Sequence, residues 1–243
     1  MKNHHTLFTV ISGSKAYGTD DENSDTDIRE VVLNTTEELL GLHNFETSVK
    51  EKEEDIVIHS AKKYFNLLIK GNFNVHEWLW VPEDCVLHAS DKWYKLLQLC
   101  KSKFLHDGIG KSILGYLNAQ IKLMQRGRGS TRDLGKKRKA LIEKYGYDTK
   151  AAYHAYRLAI TGKIMYETGV LTPRLQNMYI DMMMKFKRGE FSFEEAIAYI
   201  KQAVSLMENA REKNTADIRK KPDTKFMNSI LIYMNLNNLK EEY

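Results

Sequence analysis

Two cysteines in 243 residues are too few for a disulfide scaffold, and Cys85 and Cys100 do not have zinc-site spacing. Reduced thiols, and with them a cytoplasmic setting, are the expectation. Proline is scarce, at three residues, which argues against long disordered linkers. No run of about 18 apolar residues occurs, so no membrane span is expected. The opening Met1-Lys2-Asn3-His4-His5 lacks the apolar stretch of a secretory signal. What remains is the composition of a globular protein, 42% hydrophobic and 28% charged, long enough to bury its own core without disulfide or metal staples.

The net charge of +5 is unevenly spread. Acids gather in the first sixty residues, around Asp20-Asp21-Glu22 and Glu51-Lys52-Glu53-Glu54-Asp55. Bases gather later: Lys122, Arg126, Arg128, Arg132, Lys136, Lys137, Arg138, Lys139 and Lys144 share one stretch, and Arg219-Lys220-Lys221 forms a second. Such clusters can neutralise phosphates. A solvated helix face is the competing reading of the first, and the better reading of the second.

Hydrophobic spacing divides the chain. Strands are expected at 7–12, 27–33, 46–50 and 55–60, the last with Asp55, Val57 and His59 on one face and Ile56 and Ile58 on the other. One or two helical turns follow Thr35 or Thr36, either of which can cap them. Beyond Ser60 the spacing becomes helical, with Tyr64, Leu67 and Leu68 on one face of a helix ending at Gly71. Further helices are expected at 75–80, 91–99, 112–125, 133–145, 149–167, 175–187 and 193–211, the last capped by Ser192. The segment 125–131, with glycine and arginine interleaved, reads as a flexible loop. The architecture is α+β: a small head over 1–85 and a mostly helical region over 86–243.

One constellation carries chemistry. Gly13-Ser14-Lys15-Ala16-Tyr17-Gly18 follows the first strand and precedes Ser24-Asp25-Thr26-Asp27-Ile28-Arg29. In an extended strand, alternate side chains point the same way, so Asp25 and Asp27 would project together and could share a hard divalent cation. A Gly-Ser turn leading into a short helix supplies N–H groups and a hydroxyl for phosphates. Ser-Asp-x-Asp alone is a common loop string. The order strand, phosphate turn, short helix, loop, carboxylate pair, strand is specific.

Gly-Ser-x-Ala-Tyr-Gly … Ser-Asp-x-Asp-x-Arg resembles the DNA polymerase β-like nucleotidyltransferase superfamily, and most of all its RNA-repair-associated branch. Lys70-Gly71-Asn72-Phe73-Asn74-Val75-His76-Glu77 and Tyr147-Asp148-Thr149-Lys150-Ala151-Ala152-Tyr153-His154-Ala155-Tyr156-Arg157-Leu158 are similar to that branch too. The chain departs from it at Phe73, where a proline often follows the asparagine.

The resemblance implies a mixed-sheet nucleotidyltransferase head, a magnesium cofactor (manganese as a substitute), ATP or another NTP as donor, and RNA as acceptor. It implies Asp25 and Asp27 as catalytic metal ligands, with a third carboxylate on a neighbouring strand. Asp55 is the choice; Glu54 and Glu77 are the rivals. Gly13 and Ser14 would meet the triphosphate; Lys15 would be a further phosphate contact or simply solvated, and Arg29 would orient the Asp27 carboxylate or touch a phosphate. Lys150, His154 and Arg157, spaced i, i+4, i+7, share one helix face; a phosphate or acceptor-end site and an ordinary exposed stripe are both open for them. His59 would support the carboxylates from behind. Competing functions are nucleotidylation of a partner protein, a non-catalytic nucleotide or nucleic-acid binder, and transfer to a small molecule.

Overall fold

The computed structural model describes residues 4–22, 24–42, 48–51, 55–127 and 135–242. They form two compact units. The first takes in 1–109, 172–174 and 219–243; the second takes in 110–171 and 175–218. The expected division at residue 85 falls inside the first unit, which runs on to residue 109 and also takes in a late helix that its sequence hides.

The first unit is built on a five-stranded mixed sheet. Its strands are β1 (His5–Ser12), β2 (Asp27–Leu33), β3 (Ser48–Glu51), β4 (Ile56–Ser60) and β5 (Val86–Ala89), in the order β3-β4-β2-β1-β5. β2 and β4 run parallel; every other pair is antiparallel. The short α1 (Gly13–Tyr17) leaves β1, and α2 (Thr36–Leu40) follows β2. Thr35 and Glu38 close α2 with a reciprocal capping box, which settles the cap on Thr35.

Behind the sheet lie α3 (Ala61–Ile69), α4 (Phe73–Glu77) and α5 (Trp93–Cys100). Leu7, Phe8, Val31 and Leu33 from the strands pack with Tyr64, Phe65, Leu68, Trp78, Leu97 and Phe104. Tyr64 stacks on Trp78 at 5.7 Å. The Lys70-Gly71-Asn72 string is a helix break with two jobs. Gly71 has φ +70°, and a Cβ there would stand 2.6 Å from the Gly108 carbonyl carbon. Asn72 then caps α4, its Oδ1 accepting from the Val75 N–H at 3.2 Å.

The helical remainder begins with α6 (Asp107–Gly127), α7 (Lys136–Tyr145) and α8 (Thr149–Thr168). It continues with α9 (Asn177–Arg188), α10 (Phe193–Lys213) and, back in the first unit, α11 (Thr224–Glu242). Small residues on α8, among them Ala151, Ala155, Ala159 and Gly162, let neighbouring helices approach closely. A Cβ at Gly162 would press on the Met207 side chain of α10, 2.7 Å from Sδ. Met227 and Met234 of α11 are fully buried in the core of the first unit.

Candidate active site

Strand register assembles the site. β1 and β2 are antiparallel with Ser12 opposite Asp27, so the chain leaves the sheet into the Gly13 turn beside that aspartate. β2 and β4 are parallel with Ile28 opposite Ile56, which sets Asp55 level with Asp27 on the adjacent strand. The Ile28 N–H bonds the Asp55 carbonyl at 3.0 Å. Three chain ends thus converge at one end of the sheet.

Gly13 has φ +71°, and a Cβ there would collide with Asp27 Oδ2. Glycine lets the backbone of the turn lie against the carboxylate. Arg29, two residues along β2, reaches back on the same face. Its Nη2 bonds Asp27 Oδ1 at 2.7 Å, while Nη1 bonds the Asp55 carbonyl at 2.7 Å and lies 3.4 Å from Asp55 Oδ1. The Asp55 carboxyl is also within hydrogen-bonding reach of Asp27. Burial pushes the Asp27 carboxyl above its ordinary pKa; Arg29 opposes that, and neighbouring Asp55 adds to it. Two carboxylates held close, one of them half-buried, make a place where positive charge is favoured.

Asp25 lies two residues before β2 begins and is exposed. The alternation expected to align it with Asp27 therefore does not extend to it within the strand. Lys15 sends its ammonium to Thr26 Oγ1 at 2.6 Å, tying the turn to the loop between the two aspartates. The Ser14 carbonyl accepts from the Thr19 N–H at 3.0 Å, which closes α1 and leaves the Ser14 side chain out of that bond. Glu77 is buried in α4, and Glu54 lies outside the described residues. His59 is buried with its ring 5.2 Å from that of Trp78. Among the described residues no three His, Cys, Asp or Glu side chains form a metal-binding group.

The second unit holds the other expected residues. Along α8, Lys150 is exposed, His154 half-buried and Arg157 buried. Burial, with Arg157, Lys150 and Arg138 nearby, pushes His154 down to about 3, so its ring is neutral at physiological pH. Asp148 is the N-cap of α8. Its Oδ1 accepts from the Ala151 N–H at 2.9 Å, and Oδ2 takes Arg138 Nη1 at 2.7 Å. That assigns Arg138, one of the expected basic stretch, to a structural bond. Lys122, Lys136, Lys137 and Lys144 are exposed; Arg128 and Arg132 lie outside the described residues.

Sequence reasoning missed Arg174. Its Nη1 bonds Asp84 Oδ2 at 2.8 Å and its Nη2 the Lys15 carbonyl at 3.0 Å. Nothing in its local sequence marks it, since it is joined to the turn only through the fold.

A glycine turn against paired carboxylates, on a small mixed sheet, is the arrangement of a nucleotidyltransferase, and comparison with known proteins gives the same class. The sequence matches the RNA repair pathway DNA polymerase beta family over residues 1–233, and the chain belongs to that family. Among solved structures it is similar to a nucleotidyltransferase-like protein from Exiguobacterium sibiricum. The two share 11% identity over 88% of this chain and 72% of that one, with a TM-score of 0.30, a likeness too loose to bear on the site. No curated protein matches the sequence. Among the described residues no helix is long and apolar enough to cross a membrane.

Proposed function

We propose that the protein moves a nucleoside monophosphate from an NTP to a hydroxyl of RNA, at a 3′ end or on tRNA. The observation that carries this is the meeting of the Asp27 and Asp55 carboxyls beside the Gly13 backbone. In such a transfer the acceptor oxygen bonds the α-phosphorus, its proton is lost, and pyrophosphate departs.

The donor set fits a hard cation: it is all oxygen, and burial of Asp27 beside a second carboxyl favours added positive charge. Asp27 and Asp55 would hold magnesium or manganese, with Asp25 reaching in from the adjoining loop. The cation would offset charge on the phosphates. The turn at Gly13 and Ser14 would receive the triphosphate. Arg29 aligns the two carboxyls and is near enough to meet a phosphate when its bond to Asp27 is exchanged for one to substrate. Lys150, His154 and Arg157 of α8 are proposed, within the second unit, as a phosphate or acceptor-end site, with Arg157 buried and Lys150 exposed.

RNA as acceptor is supported by the family's description and by the exposed lysines of α7. The test is transfer of label from α-labelled NTPs to bulk tRNA and to RNA oligonucleotides with free 3′ ends. Asp27→Ala and Asp25→Ala are expected to abolish it. Unchanged transfer in both variants refutes the site, and label appearing only in a protein band redirects the acceptor to a polypeptide.

A further inference from the structure

We infer that Arg174 is a positioning residue for nucleotidyl transfer: it clamps the carbonyl end of α1 so that the Gly13-Ser14 turn keeps its place beside Asp27. This rests on the proposed role of the turn in holding a triphosphate.

The argument begins with how little holds α1. It has five residues, too few to be stable alone. Its carbonyl end is closed by two backbone bonds, Gly18 N–H to the Lys15 carbonyl at 3.2 Å and Thr19 N–H to the Ser14 carbonyl at 3.0 Å. Arg174 adds a charged donor to the same Lys15 carbonyl at 3.0 Å. A cation at the carbonyl end of a helix is also electrostatically favourable.

The other side of the clamp is fixed. Arg174 Nη1 pairs with Asp84 Oδ2 at 2.8 Å, and Nη2 lies 3.6 Å from Cys85 Sγ. Asp84 and Cys85 form the tight turn that leads into β5, which pairs with β1. Arg174 is itself braced, because Thr172 Oγ1 bonds its carbonyl at 2.9 Å. The guanidinium therefore spans two chain segments with two N–H groups of one plane, which a lysine ammonium cannot reproduce.

Lys15 connects this clamp to the carboxylates. Its carbonyl receives Arg174, and its ammonium bonds Thr26, the residue between Asp25 and Asp27. At the other end of α1 there is little slack, since the space a Cβ would take at Gly13 is already filled by Asp27 Oδ2. A shift of α1 by a fraction of an ångström would change the spacing between the turn's N–H groups and the carboxyl pair. Misplacement on that scale is costly to positioning.

The test uses the full chain with magnesium tripolyphosphate, which carries the triphosphate chemistry without a base. Affinity is measured by calorimetry, and amide exchange is followed across the molecule. Arg174→Ala is expected to weaken binding about tenfold and to speed exchange at Gly18 and Thr19, while the rest of the sheet exchanges as in the parent. Arg174→Lys should recover only part of the affinity. Ser14→Ala is the companion. If Ser14→Ala weakens binding and Arg174→Ala does not, the clamp is refuted and the phosphate turn stands. If neither weakens it, the triphosphate reading fails as well. Faster exchange throughout the sheet, alongside lost affinity, would make Arg174 a general stabiliser and overturn its positioning role. Should Arg174→Ala fail to fold, Arg174→Lys carries the decision, and parental affinity with parental exchange at Gly18 and Thr19 refutes the clamp.

Discussion

Replacing Gly13 by alanine adds one methyl group at the most constrained point of the site. Two costs follow. The first is conformational: φ is +71°, and an L-residue there loses about 1 kcal/mol relative to glycine. The second is steric: the new Cβ would overlap Asp27 Oδ2 and stand 3.1 Å from its Cγ. The carboxylate must rotate away or the turn must lift, at a cost of about 1–3 kcal/mol. Rotation also breaks the 2.7 Å bond from Arg29 Nη2. Gly146 supplies a control. Its φ is +80° and nothing lies within 4 Å of a Cβ built there, so Gly146→Ala carries the conformational cost alone. In urea unfolding, Gly13→Ala should therefore lose about 1–3 kcal/mol more than Gly146→Ala. The excess should vanish when Asp27 is also replaced by glycine, as in any double-mutant cycle on touching residues. Nucleotidyl transfer should fall on the order of 10²-fold in Gly13→Ala and stay at the parental rate in Gly146→Ala. Equal stability loss in the two single variants would refute the contact on which the site is built.

Other perturbations separate structure from chemistry. Asp27 has a raised pKa, so its ionised form is disfavoured by folding; its contribution is present below the unfolded pKa and is lost as pH rises through the folded one. Asp27→Asn should therefore abolish transfer yet raise the melting temperature at pH 7, an advantage that shrinks on acidification; a lower melting temperature at pH 7 contradicts the electrostatics. His76 is buried with Nε2 on the Leu68 carbonyl at 2.9 Å, and burial lowers it to about 3. Its stabilisation is complete above the unfolded pKa of about 6.5 and is lost as pH falls toward 3, by up to about 1.4 kcal/mol per pH unit. Chemical denaturation between pH 7 and 4 should show a smaller slope in His76→Asn than in the parent. Asp148→Ala removes the α8 cap and the partner of Arg138, and should cost about 2–4 kcal/mol; a loss below about 0.5 kcal/mol would show that cap and ion pair to be dispensable.

Much of the head was legible because its signals are local. The strand at 27–33 is bounded as expected, since its apolar run and flanking polar loop agree. The helices expected at 149–167 and 193–211 are found as Thr149–Thr168 and Phe193–Lys213, the second with its Ser192 cap as read, whereas the Asp148 cap of the first was not read from the sequence. What escaped was non-local. β5 is four residues, Val86–Ala89, and is a strand only because β1 offers it an edge. On α11, Phe226, Met227, Ile230, Leu231 and Met234 share the face that packs on the core, but Ile232, Tyr233 and Leu236 lie exposed on the other side, so apolar spacing alone marks no face; burial of Met227 and Met234 against the sheet unit decides it. At the site, the motif pointed to Gly13, Ser14, Asp25 and Asp27, and the resemblance to Asp55 as the third carboxylate. The approach of Asp55 depended on a parallel register between β2 and β4 that spacing along the chain does not encode.

Arg29 illustrates why the site can persist before any substrate arrives. Asp27 and Asp55 come level because Ile28 pairs with Ile56 in a parallel ladder, and that ladder brings two like charges together. In a partly buried position their repulsion would favour splaying or protonation. A cation placed two residues along the same strand lies on the same face by the pleat alone. From there Arg29 reaches Asp27 Oδ1, the Asp55 carbonyl and Asp55 Oδ1 at once. The Asp-x-Arg spacing thus does mechanical service apart from any contact with phosphate. Arg29→Met, which keeps the apolar stem and removes the charge, should raise the pKa of Asp27 further, as followed by carboxyl carbon NMR. An unchanged Asp27 titration in that variant would mean that the strand pairing alone holds the carboxyls together.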